Sequence, residues 1–522
     1  MSISINKKVI FTVATGLVLG ASSCRKFLDV NTNPNITPTA TLQTLLPAAQ
    51  LTVGTALGVD LEINGSCWGG YWTQSPNASQ YRSLEQYAPG QDYFDNPWTN
   101  LYKANENFYQ LAKLADSSHN KHYKAIALLM QAYTFELITD GWGDAPFKQA
   151  LKGQPADGGI TSPKYDSQLV IYNGIMSYVD SAEILLSQSN AVDPTNDDLI
   201  YNGSISNWQK FGYTLKLKTL LRLTQVNPAM AQAGVLALYA TPGVSFIDNT
   251  SDAQIAYGFN NTNNKNPLYA EMSSTTLNFT QNLVGSSTCI DSMNSNDDYR
   301  AYAFYEALSN GNVVGIKQGN YNTAVAAGTY SIPSFNVAGD AQNTASANAP
   351  VKFLTSYESY FLQAEVAARG WVLHYAGEDT VLFYKAISAN FNAYSTQLLN
   401  STGSDGPASY SIYVNGDVVN SIPPGYWAIY PTNGSVTAKV RHIITGKWFA
   451  MCGNQGFEAW TEFRRTGYPD FMVPSVNTLI GGSVVGGSAF PKRFEYPTSE
   501  STRNSAFPGV QPVTSRVWWD LF

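Results

Sequence analysis

Helical periodicity, returning along much of the chain, is the feature that most restricts its fold. Trp98, Leu101, Tyr102, Phe108, Leu111 and Leu114 recur at spacings near those of a helix, and Tyr123 to Ile138 places Ala, Leu, Tyr and Phe on broad faces. Residues three and four apart share one side of a helix, so each run carries an apolar stripe that another element must cover. Further helices are predicted at Leu42 to Val59, Tyr165 to Leu186, Asn207 to Gln225, Tyr357 to Tyr375 and Thr380 to Leu399. Gly377, Glu378 and Asp379 split the last pair, and Ala364, Ala367, Ala368 and Ala386 let its members approach closely. Such pairs are the unit of tetratricopeptide-like stacking, although no segment reproduces the full signature of roughly 34 residues. Between them, Thr241 to Asp297 is rich in Asn, Thr and Ser and predicts long loops with short elements. The expected fold class is mostly α, with tetratricopeptide-like helix pairs scaffolding an irregular, loop-rich part.

The amino terminus sets where such a fold works. Lys7 and Lys8 precede an apolar run, Val9 to Ala21, that is interrupted by Thr12, Thr15 and Gly16 and ends in Ser22-Ser23-Cys24. This is the anatomy of a secretory signal peptide, too short to span a bilayer comfortably. A cysteine directly after Ala21-Ser22-Ser23 has the arrangement of a bacterial lipoprotein processing site. Residues 1–23 are then removed, and Cys24 becomes the lipidated first residue. Its acyl chains hold the protein to a membrane at roughly 0.8 kcal/mol per buried CH2. Cleavage near Ala21, with Cys24 left as an ordinary thiol, is the alternative, and either route exports the chain. Asn31 to Thr39, with Asn-Pro-Asn and Thr-Pro, reads as an extended tether. Residues 24–40 thus link the anchor to one domain over 41–522.

With 44% apolar and 13% charged residues among 522, the chain can bury a large core. Loss of Lys7 and Lys8 takes the net charge from -7 to -9, with no basic block left, which argues against nucleic acid as a partner. Once Cys24 is lipidated, Cys67, Cys289 and Cys452 remain; one pair can form, but spacing does not choose it. There is no CxxC, and the four histidines are sparse, so no metal or cofactor is expected. His119 and His122 beside Asp116 fit a solvated helix start better than a metal site. Asp291 to Asp298 departs from the order of a calcium loop. Asp140 and Asp144, around Gly141 and Gly143, fit turn capping.

Two constellations carry candidate chemistry. The aromatic share is 13%, and Trp68, Trp72, Tyr81 and Trp98 lie in an early stretch rich in Gly, Asn and Gln. Rings on such loops stack on the flat apolar faces of sugars while amides bond the hydroxyls, so these four are the predicted ligand-binding residues. The alternative is that they pack a long loop on the body; Trp427 and Tyr430 compete for the same role. Glu458 and Glu462, four apart, share a helix face and match the spacing of a glycosidase acid and nucleophile. Arg464 and Arg465 beside them favour ion pairs, which would keep both charged and unsuited as acids. No catalytic residue is therefore assigned.

The start Ser22-Ser23-Cys24-Arg25-Lys26-Phe27-Leu28-Asp29-Val30-Asn31-Thr32-Asn33-Pro34-Asn35 is one of four stretches that carry a family resemblance. The others are Ala132-Tyr133-Thr134-Phe135 leading to Trp142-Gly143-Asp144-Ala145-Pro146-Phe147, Ser356 to Gly370, and Glu458 to Pro469. Together, and in this order, they resemble the SusD/RagB family of outer-membrane nutrient-binding lipoproteins of Bacteroidota. The resemblance implies a helical scaffold carrying an irregular ligand-binding part, exposed at the cell surface and without enzyme activity. It also implies capture of oligosaccharides, peptides or other nutrients for a SusC-like, TonB-dependent outer-membrane barrel. Gly143-Asp144-Ala145-Pro146-Phe147 stands where relatives often carry Gly-Asp-Val-Pro-Tyr, a change that keeps the turn chemistry.

Overall fold

The computed structural model describes residues 40–190, 192–258, 264–478 and 490–522. Cys24, the signal segment and all but the last residue of the tether lie outside them, as does the loop from Gly481 to Ala489. Helix α1 (Leu42–Ala56) buries Leu42, Leu46, Ala49, Val53 and Ala56, a spacing of three and four that forms one stripe. It runs through Pro47 and passes by a π-turn, Leu57–Leu61, into α2 (Glu62–Trp68). The helical path therefore reaches well beyond the predicted end at Val59. Cys67 and Trp68 belong to a helix and not to the loop expected there.

The next helices pack in sequence. Helix α3 (Asp95–Ser117) lies on α1 and on α4 (Lys121–Trp142); α4 lies on α5 (Gln168–Leu186), α5 on α6 (Ile205–Arg222), and α6 on α7 (Pro228–Tyr239). The pattern returns where α8 (Ser356–Ala368) packs on α9 (Glu378–Ala393) and on α10 (Val436–Ala450), while α11 (Gly456–Thr466) sits on α2. The fold is mostly helical with paired-helix packing, as the periodicity predicts. Among the described residues one helix, α5, is long and apolar enough to cross a membrane. Here Ile171, Tyr172, Ile175, Val179, Ala182 and Leu186 bury one of its faces in the core, and Asp144 Oδ1 accepts the Gln168 N–H at 2.9 Å to satisfy its first turn.

Short antiparallel ribbons stitch the irregular part. Strand β1 (Trp72–Gln74) pairs with β5 (Leu283–Gly285), β2 (Ala145–Pro146) with β3 (Tyr165–Asp166), and β4 (Ala253–Ile255) with β6 (Val351–Leu354). In the first ribbon Trp72 faces Gly285 and Gln74 faces Leu283. Ser75 N–H continues it by donating to Asn282 O at 2.7 Å. The described residues between Thr241 and Asp297 form short elements and loops, in agreement with the composition of that stretch.

Rings fill the core. Phe494 stacks on Phe94 at 4.7 Å and on Trp460 at 5.1 Å, with Trp142 edge-on at 4.9 Å. Much of the aromatic surplus noted in the sequence is consumed in this way, where such pairs add about 0.5–1.5 kcal/mol beyond their buried area.

Candidate functional site

Trp68, Trp72, Tyr81 and Trp98 are buried, which corrects the expectation that they expose ring faces toward one cleft. Trp68 ends α2 and packs on Trp460 and Phe494, donating its indole N–H to Leu84 O at 3.2 Å. Trp72 lies fully enclosed in β1, and its Nε1 has no acceptor among the described residues. Tyr81 donates its backbone N–H to Gln74 Oε1. Trp98, inside α3, packs on Tyr102, Trp142 and Tyr496. Trp68 and Trp98 thus meet the same core cluster, through Phe94 and Trp142. Trp427 and Tyr430 are buried as well: Tyr430 Oη donates to Asp379 at 3.0 Å, and the Arg441 guanidinium covers Trp427. Polar loops around a ring say nothing about whether another chain segment lies over it, and here one does.

Glu458 and Glu462 do share a face of α11, but that face is turned inward. Arg222 Nη2 is 2.7 Å from Glu458, and Lys218 and Lys447 each lie 3.0 Å from it; Arg222 Nη1 also bonds Glu462. Arg465 bridges Glu462 and Glu365 at 2.5 and 2.7 Å. Burial by itself would raise the Glu458 carboxyl, yet the charges of Arg222, Lys218 and Lys447 outweigh it and hold the pKa at about 2. Glu462 is likewise lowered against burial by Arg465, Lys447 and Arg222. Neither holds a proton to donate at neutral pH, and neither meets solvent. They lock α11 to α6, α8 and α10.

The same network corrects the reading of Asp140 as a turn cap. It is buried, accepts from Arg222 Nε at 3.1 Å and bonds the Tyr172 hydroxyl. Asp144 does cap a turn, as described for α5. His122 is held between Asp193 Oδ1 at 2.6 Å and Gln188 O at 2.8 Å, and Asp298 is taken by the buried Arg300 at 2.5 Å. Among the described residues no three His, Cys, Asp or Glu side chains gather as a metal site.

A site with open volume lies at the end of the β1/β5 ribbon. A cleft of about 530 Å³ is bounded by Ser75 and Asn77 after β1, Thr280 and Gln281 before β5, Glu306 to Ser309, Ala327 to Ile332, and Gln342. Asn77 Nδ2 donates to Tyr330 Oη at 2.7 Å, joining two walls that are far apart in sequence. Gln281 Nε2 reaches Gly339 O at 2.9 Å while its Oε1 accepts from Ala341 N–H at 2.9 Å, and Gln342 Nε2 donates to Phe279 O at 2.6 Å. Leu308, Ile332 and Ala327 supply apolar surface. The one ionisable carboxylate in the lining, Glu306, is raised in pKa by burial and accepts from Phe335 N–H at 3.1 Å, so it is tied to its own wall. The lining is one of amides, hydroxyls and small apolar faces on a hydrogen-bonded frame. Such a surface is chemically suited to hydrogen bonding with a neutral, hydroxyl-rich molecule.

A second cleft of about 430 Å³ borders α3, with Trp98 and Tyr102 beside Lys103, Glu106, Glu500 and Arg503. It is the more charged of the two. Of the four predicted rings, Trp98 reaches the lining of this cleft while remaining buried.

Ser75 and Asn77 fall inside the early stretch flagged by the sequence, but through their polar side chains and not through its rings. The remaining cleft residues come from segments about two hundred residues later that carry no periodic or motif signal. Of them only Thr280 and Gln281 fall in the stretch from Thr241 to Asp297 whose Asn, Thr and Ser content predicts loops.

Solved structures share this fold. A chitin-binding SusD homolog from Flavobacterium johnsoniae superposes with a TM-score of 0.71 at 22% identity, covering 91% of this chain and 98% of that one. A SusD/RagB family protein from Bacteroides thetaiotaomicron gives 0.72 at 21% identity, over 92% and 99%. A SusD homolog from Bacteroides uniformis gives 0.71 at 20%, over 92% and 99%. No curated protein is matched by the sequence. The family model SusD-like_2, described as starch-binding associating with outer membrane, matches residues 34–497. With that match spanning most of the chain, the protein belongs to the SusD/RagB family of outer-membrane nutrient-binding proteins and is a binding protein, not an enzyme.

Proposed function

We propose that the protein is a lipid-anchored receptor on the cell surface that holds a neutral oligosaccharide in the cleft between Asn77 and Gln342. The ligand then passes to a SusC-like, TonB-dependent barrel in the outer membrane, because an acylated protein of this kind cannot itself move a solute across a bilayer. Tetratricopeptide-like helix pairs form the scaffold in this reading, and Cys24 carries the lipid. The observation that carries it is the cleft's chemistry: amide and hydroxyl groups fixed on a rigid frame, small apolar faces between them, and a single carboxyl already engaged. Family membership and the chitin-binding neighbour support a polymer of hydroxyl-rich rings as the source of the ligand. Free peptides and other charged nutrients fit the second cleft better, since Lys103, Glu106, Glu500 and Arg503 border it.

A glycan array spanning α-glucans and β-linked amino-sugar oligomers, followed by calorimetry on Asn77→Ala, Leu308→Ala and Gln342→Ala, tests the assignment. Each variant should weaken binding by about 0.5–1.5 kcal/mol, the usual net worth of one such contact, while the protein stays folded with a thermal midpoint lowered by no more than a few degrees, roughly the loss of one framing hydrogen bond. A ligand that all three variants bind normally would place the site elsewhere.

A further inference from the structure

We infer that Cys289 and Cys452 are a disulfide pair, closed as the chain folds after export. The inference rests on the export reading for its oxidising compartment and on geometry for the choice of partners. Cys289 lies on the short helix Ser287–Asn294, and Cys452 lies in the turn that follows α10. They are 163 positions apart in sequence, yet their sulfurs are 3.9 Å from each other and both residues are fully buried. Sequence spacing could not choose between three thiols; the fold does. Cys67 is buried apart from them, with the Glu85 carboxyl as its side-chain partner. A disulfide needs the sulfurs at about 2.0 Å, so the pair must draw together from 3.9 Å for the bond to close.

The chemistry requires an oxidant, and exported chains meet one of the dithiol–disulfide oxidoreductase class. The thiolate of one cysteine attacks the oxidant's disulfide, forming a mixed disulfide and releasing one oxidant thiolate. The second cysteine, as thiolate, then displaces the oxidant. The protein loses two protons and two electrons, and the oxidant leaves as a dithiol. Both steps need thiolates with access to a large partner. In the finished fold neither condition holds, since burial pushes the Cys452 thiol well above its ordinary pKa. The bond therefore forms before the core closes, and the folded chain then protects it. Its placement gives it a structural effect. The helix carrying Cys289 starts directly after Ser286, beside β5, whose partner β1 leads into Ser75 and Asn77 of the cleft. The cross-link ties that wall of the cleft to the turn after α10.

Two arms separate the pairing from the export reading. In the first, protein unfolded and reduced in urea is refolded in a glutathione redox buffer, denatured in acid and alkylated without reductant. Cys67 should be labelled, Cys289 and Cys452 should be labelled only after reduction, and proteolysis should yield one peptide joining them. A Cys452→Ala variant should leave Cys289 labelled at once. In the second arm, the chain extracted from its own membranes is mapped in the same way and should give the same result. Labelling of Cys289 and Cys452 without reductant after refolding, or a cross-link containing Cys67, overturns the pair. A bond present after refolding but absent from membrane-extracted protein upholds the pair and counts against the oxidising compartment.

Discussion

Replacing Glu458 with Gln removes one charge from a buried site where Arg222, Lys218 and Lys447 all face it. Breaking such a set strands cations away from water, so the variant should lose about 3–5 kcal/mol of stability at neutral pH. The pH dependence follows from the direction of each shift. The Glu458 carboxyl stands at about 2 in the fold against 4.5 ordinarily, so its contribution is present above 4.5 and is lost as pH falls through about 2. Glu136 is the opposite case: it lies 3.2 Å from Lys218, but burial outweighs that attraction and pushes it up to about 8. It keeps its proton in the fold while the unfolded chain gives it up, so stability falls as pH rises from 4.5 through 8. Urea unfolding across pH should therefore show two limbs, with Glu136→Gln making shallower an upper limb to which Glu62, Glu85 and Glu183 also contribute, and Glu458→Gln a lower limb to which Glu462 also contributes. An upper limb unchanged in Glu136→Gln would contradict the assignment. The four rings give a further prediction at this scale. Trp68→Ala and Trp72→Ala should each cost about 3–5 kcal/mol as core truncations, with oligosaccharide affinity of the remaining folded protein unchanged. Their residue types were legible in the sequence, but the covering segments were not, because Phe494 and Trp460 come from the other end of the chain.

Helices α2 and α11 meet through glycine. A Cβ added at Gly65 would lie 2.0 Å from Phe457 N, and one at Gly456 would lie 2.5 Å from Ser66 N. The obstacles are backbone atoms, which cannot rotate aside. Gly65→Ala and Gly456→Ala should each separate the two helices and lower the thermal midpoint sharply or prevent soluble folding. Gly258→Ala, which meets nothing within 4 Å among the described residues, is the control and should be near neutral. A stable Gly65→Ala protein would show that this contact is looser than drawn. The helices themselves were readable because an apolar stripe at helical spacing must be buried wherever it occurs. Their ends were less so: α8 stops at Ala368, short of the predicted Tyr375, where Gly370 takes a φ of +68° and turns the chain. The short ribbons were invisible for a related reason. Two or three residues hold too little pattern, and their pairing partners lie far away in sequence.

Taken as a whole, the molecule is a nutrient-binding protein of its family, and the proposed anchor and transporter should be demonstrable together. Gentle detergent extraction should recover it with a large TonB-dependent barrel, and mass spectrometry of the membrane fraction should find a mature chain that begins at an acylated Cys24. A retained signal segment or an unmodified Cys24 would sink the anchor, and repeated recovery of a lone chain would favour a structural lipoprotein. The helical class was determined by the sequence itself, and export and the lack of a nucleic-acid partner are expectations of the same kind, since each depends on local pattern or on total composition: a repeated apolar stripe, a basic, then apolar, then small-residue start, and an acidic balance. Which rings are buried, which amides face the open cleft, which two of three thiols touch, and which way Glu458 and Glu462 point were decided only by tertiary structure. Each of those depends on what a segment hundreds of residues away places against the side chain, and proximity of that kind leaves no trace in local spacing.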